Sequence, residues 1–348
     1  MKLTVSTFDL LQDDLLTKPA RWTLSVASLL LLGNSAAHFG AVALTFDDLP
    51  IFGKFASAAD GAVVTKRLLA GLSRHRWVAT GFVNEIQLEG SDKAERVALL
   101  ERWLAAGMDL GNHTYSHISL NSTPVDAYVA DIARDEAVTG RLLAARQRRE
   151  RWFRYPYLET GQILASRDAV ERWLSAHSYR IAPVTMENSD WQFSAPYDDA
   201  VERHDAREAA RIRSQYLIFT RRIVAWYIKA GRVLFGHQPP FVFLLHASRL
   251  NAASLDALAD ILRDAKLRVV PLDTAMRDPA YRTADGYVGP DGNEWLERWA
   301  ITLHRDLPFD SLPEVSASIA AADARLEASI DAHAALGGRR KTGTDTRP

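Results

Sequence analysis

From residue 41 onward, short apolar runs alternate with stretches whose apolar residues recur every three or four positions. The runs Val42–Phe46, Thr80–Asn84, Met108–Gly111, Trp152–Tyr155, Arg180–Met186, Val242–Leu245 and Arg268–Pro271 are short and apolar, and predict strands. Between them, Gly61–His75, Lys93–Ala106, Val125–Arg146, Gln162–His177 and Ala252–Ala265 are rich in Ala, Leu and Arg and carry the helical period. Such alternation predicts an α/β fold, a parallel sheet covered by helices. Seven strands in regular succession favour a barrel-like closure.

Two stretches depart from this rhythm. The connection before the sixth strand, 192–240, holds two helical patterns of its own, Asp198–Ser214 and Leu217–Gly231, and reads as a lid or binding-site insertion or else as a packing appendage. After Pro271 the pattern changes again: Tyr287–Asn293 is turn-forming, whereas Glu294–His304 and Ser316–Ala335 are helical. Residues 281–336 are therefore expected to form a helical C-terminal extension, and the polar stretch 337–348 a disordered tail. The catalytic domain is expected over 38–280.

At the other end, Thr23–Leu32 is an apolar run of about ten residues, short of the roughly 20 that cross a bilayer. It follows Lys18 and Arg21 and precedes small residues at Ser35 and Ala37, so 1–37 reads as a leader cleaved after Ala37, with a buried first helix as the competing reading. Asp9, Asp13 and Asp14 are acidic where such a leader should be basic, which places the expected start of translation near Leu15 or Leu16. The leader implies a secreted or periplasmic protein with no stable membrane span.

With 348 residues and 47% hydrophobic content the chain can bury a sizeable core. A formal net charge of −1 argues against a nucleic-acid partner, and no protein partner is expected. The absence of cysteine excludes disulfides, thiolate metal sites and a thiol nucleophile, so any metal must be held by nitrogen and oxygen.

Polar residues gather where the strands end, the rim at which barrels build active sites. Asp47-Asp48 ends the first strand, Asn112-His113 to Ser116-His117 follows the third, Arg154-Tyr155-Pro156-Tyr157 ends the fourth, Asn188-Ser189-Asp190-Trp191 the fifth and His246 the sixth. Alone, His113 and His117 read more readily as a pair of surface histidines at a helix start, but one helical turn would set both imidazoles on one side. Joined by a carboxylate from the first strand they make two nitrogens and one oxygen, which leaves a position open for water. One aspartate then serves as ligand and the other as base, provided the backbone turns near Phe46 so that both reach one cavity. At the same rim the Arg154 guanidinium could orient the base, and Asp190 could favour the imidazolium of His246.

These five segments, in order, resemble the motifs of the polysaccharide deacetylases of carbohydrate esterase family four, which share the NodB homology domain; the likeness covers roughly residues 40–275. The resemblance implies a distorted (β/α)7 barrel, here with the helical insertion before the sixth strand and the C-terminal extension. It implies Asp47 as general base, Asp48, His113 and His117 as ligands of a divalent metal, Zn2+ with Co2+, Ni2+ or Mn2+ as alternatives, and Arg154 as the group that orients the base. It further implies an oxyanion donor in the Tyr157 amide, a general acid in His246 tuned by Asp190, and an apolar substrate pocket from Trp191, Leu244 and Pro156. Where the family often has aspartates, this chain has Glu187 and Ala247.

The implied function is removal of N-acetyl groups from an acetylated glycan such as chitin oligomers, peptidoglycan or exopolysaccharide, with release of acetate. An O-acetyl esterase on xylan-type glycans is the nearest alternative. A non-catalytic carbohydrate-binding module and a cytoplasmic small-amide hydrolase of the same fold are the more distant ones.

Overall fold

The computed structural model describes residues 39–53, 57–149 and 151–328; the expected leader, the end of the last predicted helix and the expected tail lie outside them. Each predicted strand is found: β1 (Gly40–Leu49), β2 (Ala79–Val83), β3 (Asp109–Asn112), β4 (Trp152–Phe153), β5 (Arg180–Ile181), β6 (Phe241–His246) and β7 (Leu267–Val269). They pair in parallel in the order β5-β4-β3-β2-β1-β6, and β7 pairs with the foot of β1 at Gly40–Val42. The fold is a distorted (β/α)7 barrel.

The predicted run Arg180–Met186 is split, because it changes partners. Its first part follows β4, ending where the Ala182 N–H donates to the Phe153 carbonyl. Four residues on, Met186 bridges Phe243 of β6, with the Thr185 and Met186 N–H groups both on the Val242 carbonyl. That bridge brings the chain beyond β5 against β6, so the sheet curls round on itself.

Side chains alternate across the barrel wall. On β1, Val42, Leu44 and Phe46 enter the large core beneath the helices, while Ala43 joins Phe82, Trp152, Ala182, Val242 and Val270 inside the barrel. Burying each large apolar side chain of these cores stabilises the fold by roughly 1.5–3 kcal/mol.

The wall is covered by α1 (Ala58–His75), α2 (Lys93–Ala105), α3 (Val125–Arg134), α4 (Thr139–Ala144), α5 (Leu164–Ala176), α6 (Asp190–Glu202), α7 (Ala206–Phe235) and α8 (Arg249–Asp264), followed by α9 (Leu272–Ala275), α10 (Trp295–Leu303) and a last helix over 317–328. The pattern Val125–Arg146 becomes two helices, because the buried Glu85 carboxylate accepts the N–H groups of Val138 and Thr139 at 2.8 and 2.6 Å and starts a new one. In the insertion the break falls at 203–205, not at 215–216 as the pattern predicts. His204 is left-handed (φ 56°), Asp205 caps the Glu208 N–H at 2.9 Å, and Tyr216 is buried mid-helix. Tyr216 also reaches α8 through a 2.6 Å bond to Asn251, so this part of the insertion packs behind the rim of β6. Among the described residues, no helix is long and apolar enough to cross a membrane.

Candidate active site

The register of the sheet assembles the rim. Asp47 of β1 pairs with His246 of β6, and both follow inward-facing neighbours two residues earlier, Thr45 and Leu244, which pair in turn. Strict alternation would send Asp48 outward. Instead Asp48 has φ 61° and the β1–β2 register shifts between Phe46 and Leu49, so the carboxylate is re-aimed at the cavity. The turn is thus at Asp48 itself, two residues beyond Phe46.

The two histidines come from a loop, not a helical turn. Thr114 and His117 are left-handed (φ 60° and 52°), and polar side chains hold the loop from every side. Asn84 donates to the His113 and Thr114 carbonyls at 2.6 and 2.9 Å, Asn112 accepts from the Thr114 N–H at 3.0 Å, and Asp131 accepts from the Ser116 N–H at 2.9 Å. These bonds replace the helical ladder that the four-residue spacing suggests.

Held this way, one donor atom from each of Asp48, His113 and His117 lies within 4.8 Å of the others. His113 Nδ1 faces the Arg154 carbonyl at 2.8 Å and must donate to it, leaving the Nε2 lone pair free. Burial pushes the His113 imidazolium down to about 4, although Asp47 and Asp48 pull the other way, so the ring is neutral as a ligand must be. Burial alone would raise the Asp48 carboxyl, but His117, His113 and His246 outweigh it and hold it below the usual range. Two imidazoles and one carboxylate at these separations fit a divalent cation.

On one flank stands Asp47, its Oδ2 3.8 Å from His113 Nε2. Arg154, fully buried, reaches both Asp47 oxygens with one nitrogen at 3.1 and 3.3 Å and anchors its others on the Ala182 carbonyl at 2.7 Å and Thr45 Oγ1 at 3.2 Å. On the other flank, His246 Nε2 lies 4.0 Å from Asp48 Oδ2. Behind it, buried Asp190 accepts from His246 Nδ1 and from the His246 N–H, both at 2.7 Å. Burial opposes the imidazolium, yet the Asp190 charge and hydrogen bond prevail and lift it to about 9.

Against known proteins, residues 35–173 match the family model for polysaccharide deacetylases. This segment belongs to the polysaccharide deacetylase family. No curated protein matches the sequence. Among solved structures, the chain is similar to the chitin deacetylase of Colletotrichum lindemuthianum (20% identity, 69% of this chain and 88% of that one, TM-score 0.47). It is also similar to a polysaccharide deacetylase from Bacillus cereus (20%, 66% and 90%, 0.45) and to a pseudoenzyme of carbohydrate esterase family four from Bacillus anthracis (18%, 68% and 66%, 0.46). Likeness at that level bears on no residue's role.

The remaining residues singled out lie along the same rim. Tyr157 is left-handed (φ 55°), with its ring largely exposed and edge-on to His117 at 4.4 Å between centroids. Of the three expected pocket residues, Pro156 is buried beside it and Leu244 is buried two residues before His246, whereas Trp191 heads α6 and is 41% exposed. Glu187 closes the turn that presents Asp190, accepting the Ser189 N–H at 2.6 Å, and burial pushes its carboxyl up to about 7. Ala247 is buried, its N–H on the Asp47 carbonyl and its carbonyl on the Phe52 N–H.

Sequence reasoning missed the supports. Thr45 joins Arg154 to β6 through a 2.8 Å bond to the Phe243 carbonyl, and Asn251 donates to both Asp190 and the His246 carbonyl. Phe52 lies over the His246 ring at 4.3 Å. Thr45 carried a signal, since it lies two residues before Asp47 on an inward face; Asn251 and Phe52 carried none.

Proposed function

We propose that this chain is a metal-dependent deacetylase that hydrolyses the N-acetyl amides of a carbohydrate polymer or oligomer, of the class of chitin oligomers, peptidoglycan or exopolysaccharide, and releases acetate. One observation carries the reading. Around the Asp48–His113–His117 donor set stand a carboxylate on the His113 side, Asp47, and an imidazolium on the Asp48 side, His246.

When bound there, a divalent cation, zinc by the donor chemistry, polarises an acetyl carbonyl and makes a water more acidic. Asp47, fixed by Arg154, accepts the proton of the attacking water. His246, kept protonated by Asp190, donates to the sugar nitrogen as the C–N bond breaks. The Tyr157 N–H serves the oxyanion: the bonds of its turn run from Leu158 to Tyr155 and from Glu159 to Pro156, leaving the Tyr157 amide outside them. Without a proton the nitrogen would have to leave as an amide anion, far less readily than an alkoxide, so a strongly protonated acid favours N-acetyl over O-acetyl substrates.

Acetate release from a panel of N- and O-acetylated glycans, with and without chelator, tests the reading. N-acetyl hydrolysis that chelation abolishes and Zn2+ restores is expected. Release from O-acetyl xylan alone would replace the amide reading by the esterase one, and chelator-resistant turnover would overturn the metal. We also propose that the protein acts outside the cytoplasm, on the strength of the leader pattern. A mature N-terminus at His38 in the exported fraction is the expected result, and an uncleaved cytoplasmic product would refute it.

A further inference from the structure

Two consecutive residues of the β4 rim, Tyr157 and Leu158, are left-handed (φ 55° and 57°). Such backbone costs of order 1–3 kcal/mol per residue and persists only where its surroundings over-determine it. The surroundings here are the C-terminal extension. Gly292 lies so close that a Cβ on it would overlap the Tyr157 carbonyl oxygen, an approach only glycine permits. On one side of Gly292 the extension is tied down where Asn121 donates to the Pro290 carbonyl at 2.8 Å and Arg167 to the Tyr287 carbonyl at 2.7 Å. On the other, the Trp295 N–H donates to the Val184 carbonyl at 2.7 Å. Arg298, fully buried, donates to Thr160 just beyond the Tyr157 turn at 2.6 Å and to Asp285 at 2.8 Å. The rings of Tyr287 and Trp295 stand 5.1 and 4.6 Å from its guanidinium.

We propose that the extension is part of the catalytic unit, with Gly292 and Arg298 as positioning residues that hold Tyr157 in the left-handed backbone conformation its N–H needs. The proposal rests on the deacetylase reading for the use of that N–H. Gly292 packs on the carbonyl of the next peptide, Tyr157–Leu158, and so holds the left-handed Tyr157 backbone from which the preceding N–H projects, while Arg298 fixes the segment that follows. Asp47, Asp48, Arg154, Asp190 and His246 are set by the barrel, and His113 and His117 by the bonds of Asn84, Asn112 and Asp131 to their loop. His117 meets Tyr157 only through that residue's exposed ring, so loosening the extension should largely spare metal binding and reach one catalytic group.

The test uses the full chain loaded with Zn2+ and an N-acetylated chitin oligomer as probe. Gly292→Ala is expected to lower kcat about 10- to 100-fold, the scale of a displaced oxyanion donor, with KM within about twofold of wild type. Metal content should stay near wild type, the melting temperature should fall modestly because the new Cβ must push the Tyr157 backbone aside, and amide hydrogen exchange over 156–160 should accelerate. Arg298→Lys, which keeps the charge but loses the fork, should show the same pattern at about 3- to 10-fold. Asp291→Ala, an exposed neighbour, should match wild type. Wild-type kcat and exchange in Gly292→Ala would overturn the proposal, as would a loss of kcat that simply follows lost metal or melting temperature without faster exchange at 156–160. If the wild-type chain releases no acetate from any glycan, the deacetylase reading fails by itself. Exchange in Gly292→Ala then still decides the clamp: faster supports it, unchanged overturns it.

Discussion

His113 and His246 sit at opposite sides of one carboxylate, 3.8 and 4.0 Å from the two oxygens of Asp48, and both are shielded from solvent. Their surroundings drive them apart, one down to about 4 and the other up to about 9. The difference lies on the far side of each ring. His113 Nδ1 meets a neutral carbonyl, that of Arg154, so burial prevails and Nε2 keeps its lone pair. His246 Nδ1 meets the buried carboxylate of Asp190, so the charged form prevails and Nε2 keeps its proton. A barrel can thus make a ligand and an acid from the same side chain by choosing what stands behind it.

The largest effects come from removing what either side works upon. Asp47→Asn should keep its metal, since Asp47 is outside the donor set, yet lose acetate release by about 10^3- to 10^4-fold, near the top of what a general base contributes. His113→Ala should lose the metal itself, read by metal content after dialysis. Metal loss in Asp47→Asn, or wild-type rates in it, would mean that the two aspartates divide their work otherwise.

Exchanging the environments sharpens the contrast. Asp190→Asn gives His246 a neutral partner like that of His113, and should lower kcat on amides about 100-fold while slowing activated esters far less, because a good leaving group needs less protonation. The sign of the pH effect follows from the shift: His246 rises above its ordinary 6.5 to about 9, so the imidazolium is present through neutral pH and lost as pH climbs toward that value. A bound cation opposes the charge, so the alkaline limb of kcat should fall at or below pH 9, and Asp190→Asn should move it further toward acid. An unmoved limb in Asp190→Asn would take the acid role away from His246.

The strands and the residues at their ends were legible because short apolar runs ending in polar residues are local signals. Asp47 and His246 converge because they end the paired strands β1 and β6, and Arg154, at the end of β4, reaches Asp47 across the curled sheet. The His113–His117 loop was not legible as a loop, since its shape is set by Asn84, Asn112 and Asp131, which are distant or adjacent polar residues that no periodicity reports. The turn at Asp48 was foreseen as a necessity and misplaced by two residues, because a left-handed aspartate leaves no pattern. Arg180–Met186 read as one strand, although its halves serve different neighbours. Asn251, Gly292 and Arg298 gave no sign of their roles: each matters through contacts with residues distant along the chain.

The finest test of the two-histidine contrast is Asn251→Ala. Asn251 donates to Asp190 and to the His246 carbonyl, and is held in turn by Tyr216, itself bonded to Asn188. Losing that donor has two consequences of opposite sign. The Asp190 carboxylate, deprived of one hydrogen bond, becomes a stronger acceptor and should hold the His246 proton more tightly, which moves the alkaline limb slightly upward. The pair also becomes freer to wander, which should lower kcat about 2- to 10-fold, the worth of one hydrogen bond. Tyr216→Phe leaves Asn251 in place but untethered, and should lower kcat less while leaving the limb where it is. A limb that moves upward in Asn251→Ala but not in Tyr216→Phe separates the charge on Asp190 from its mere position. Identical profiles in the two variants would show that Asn251 acts only as a prop.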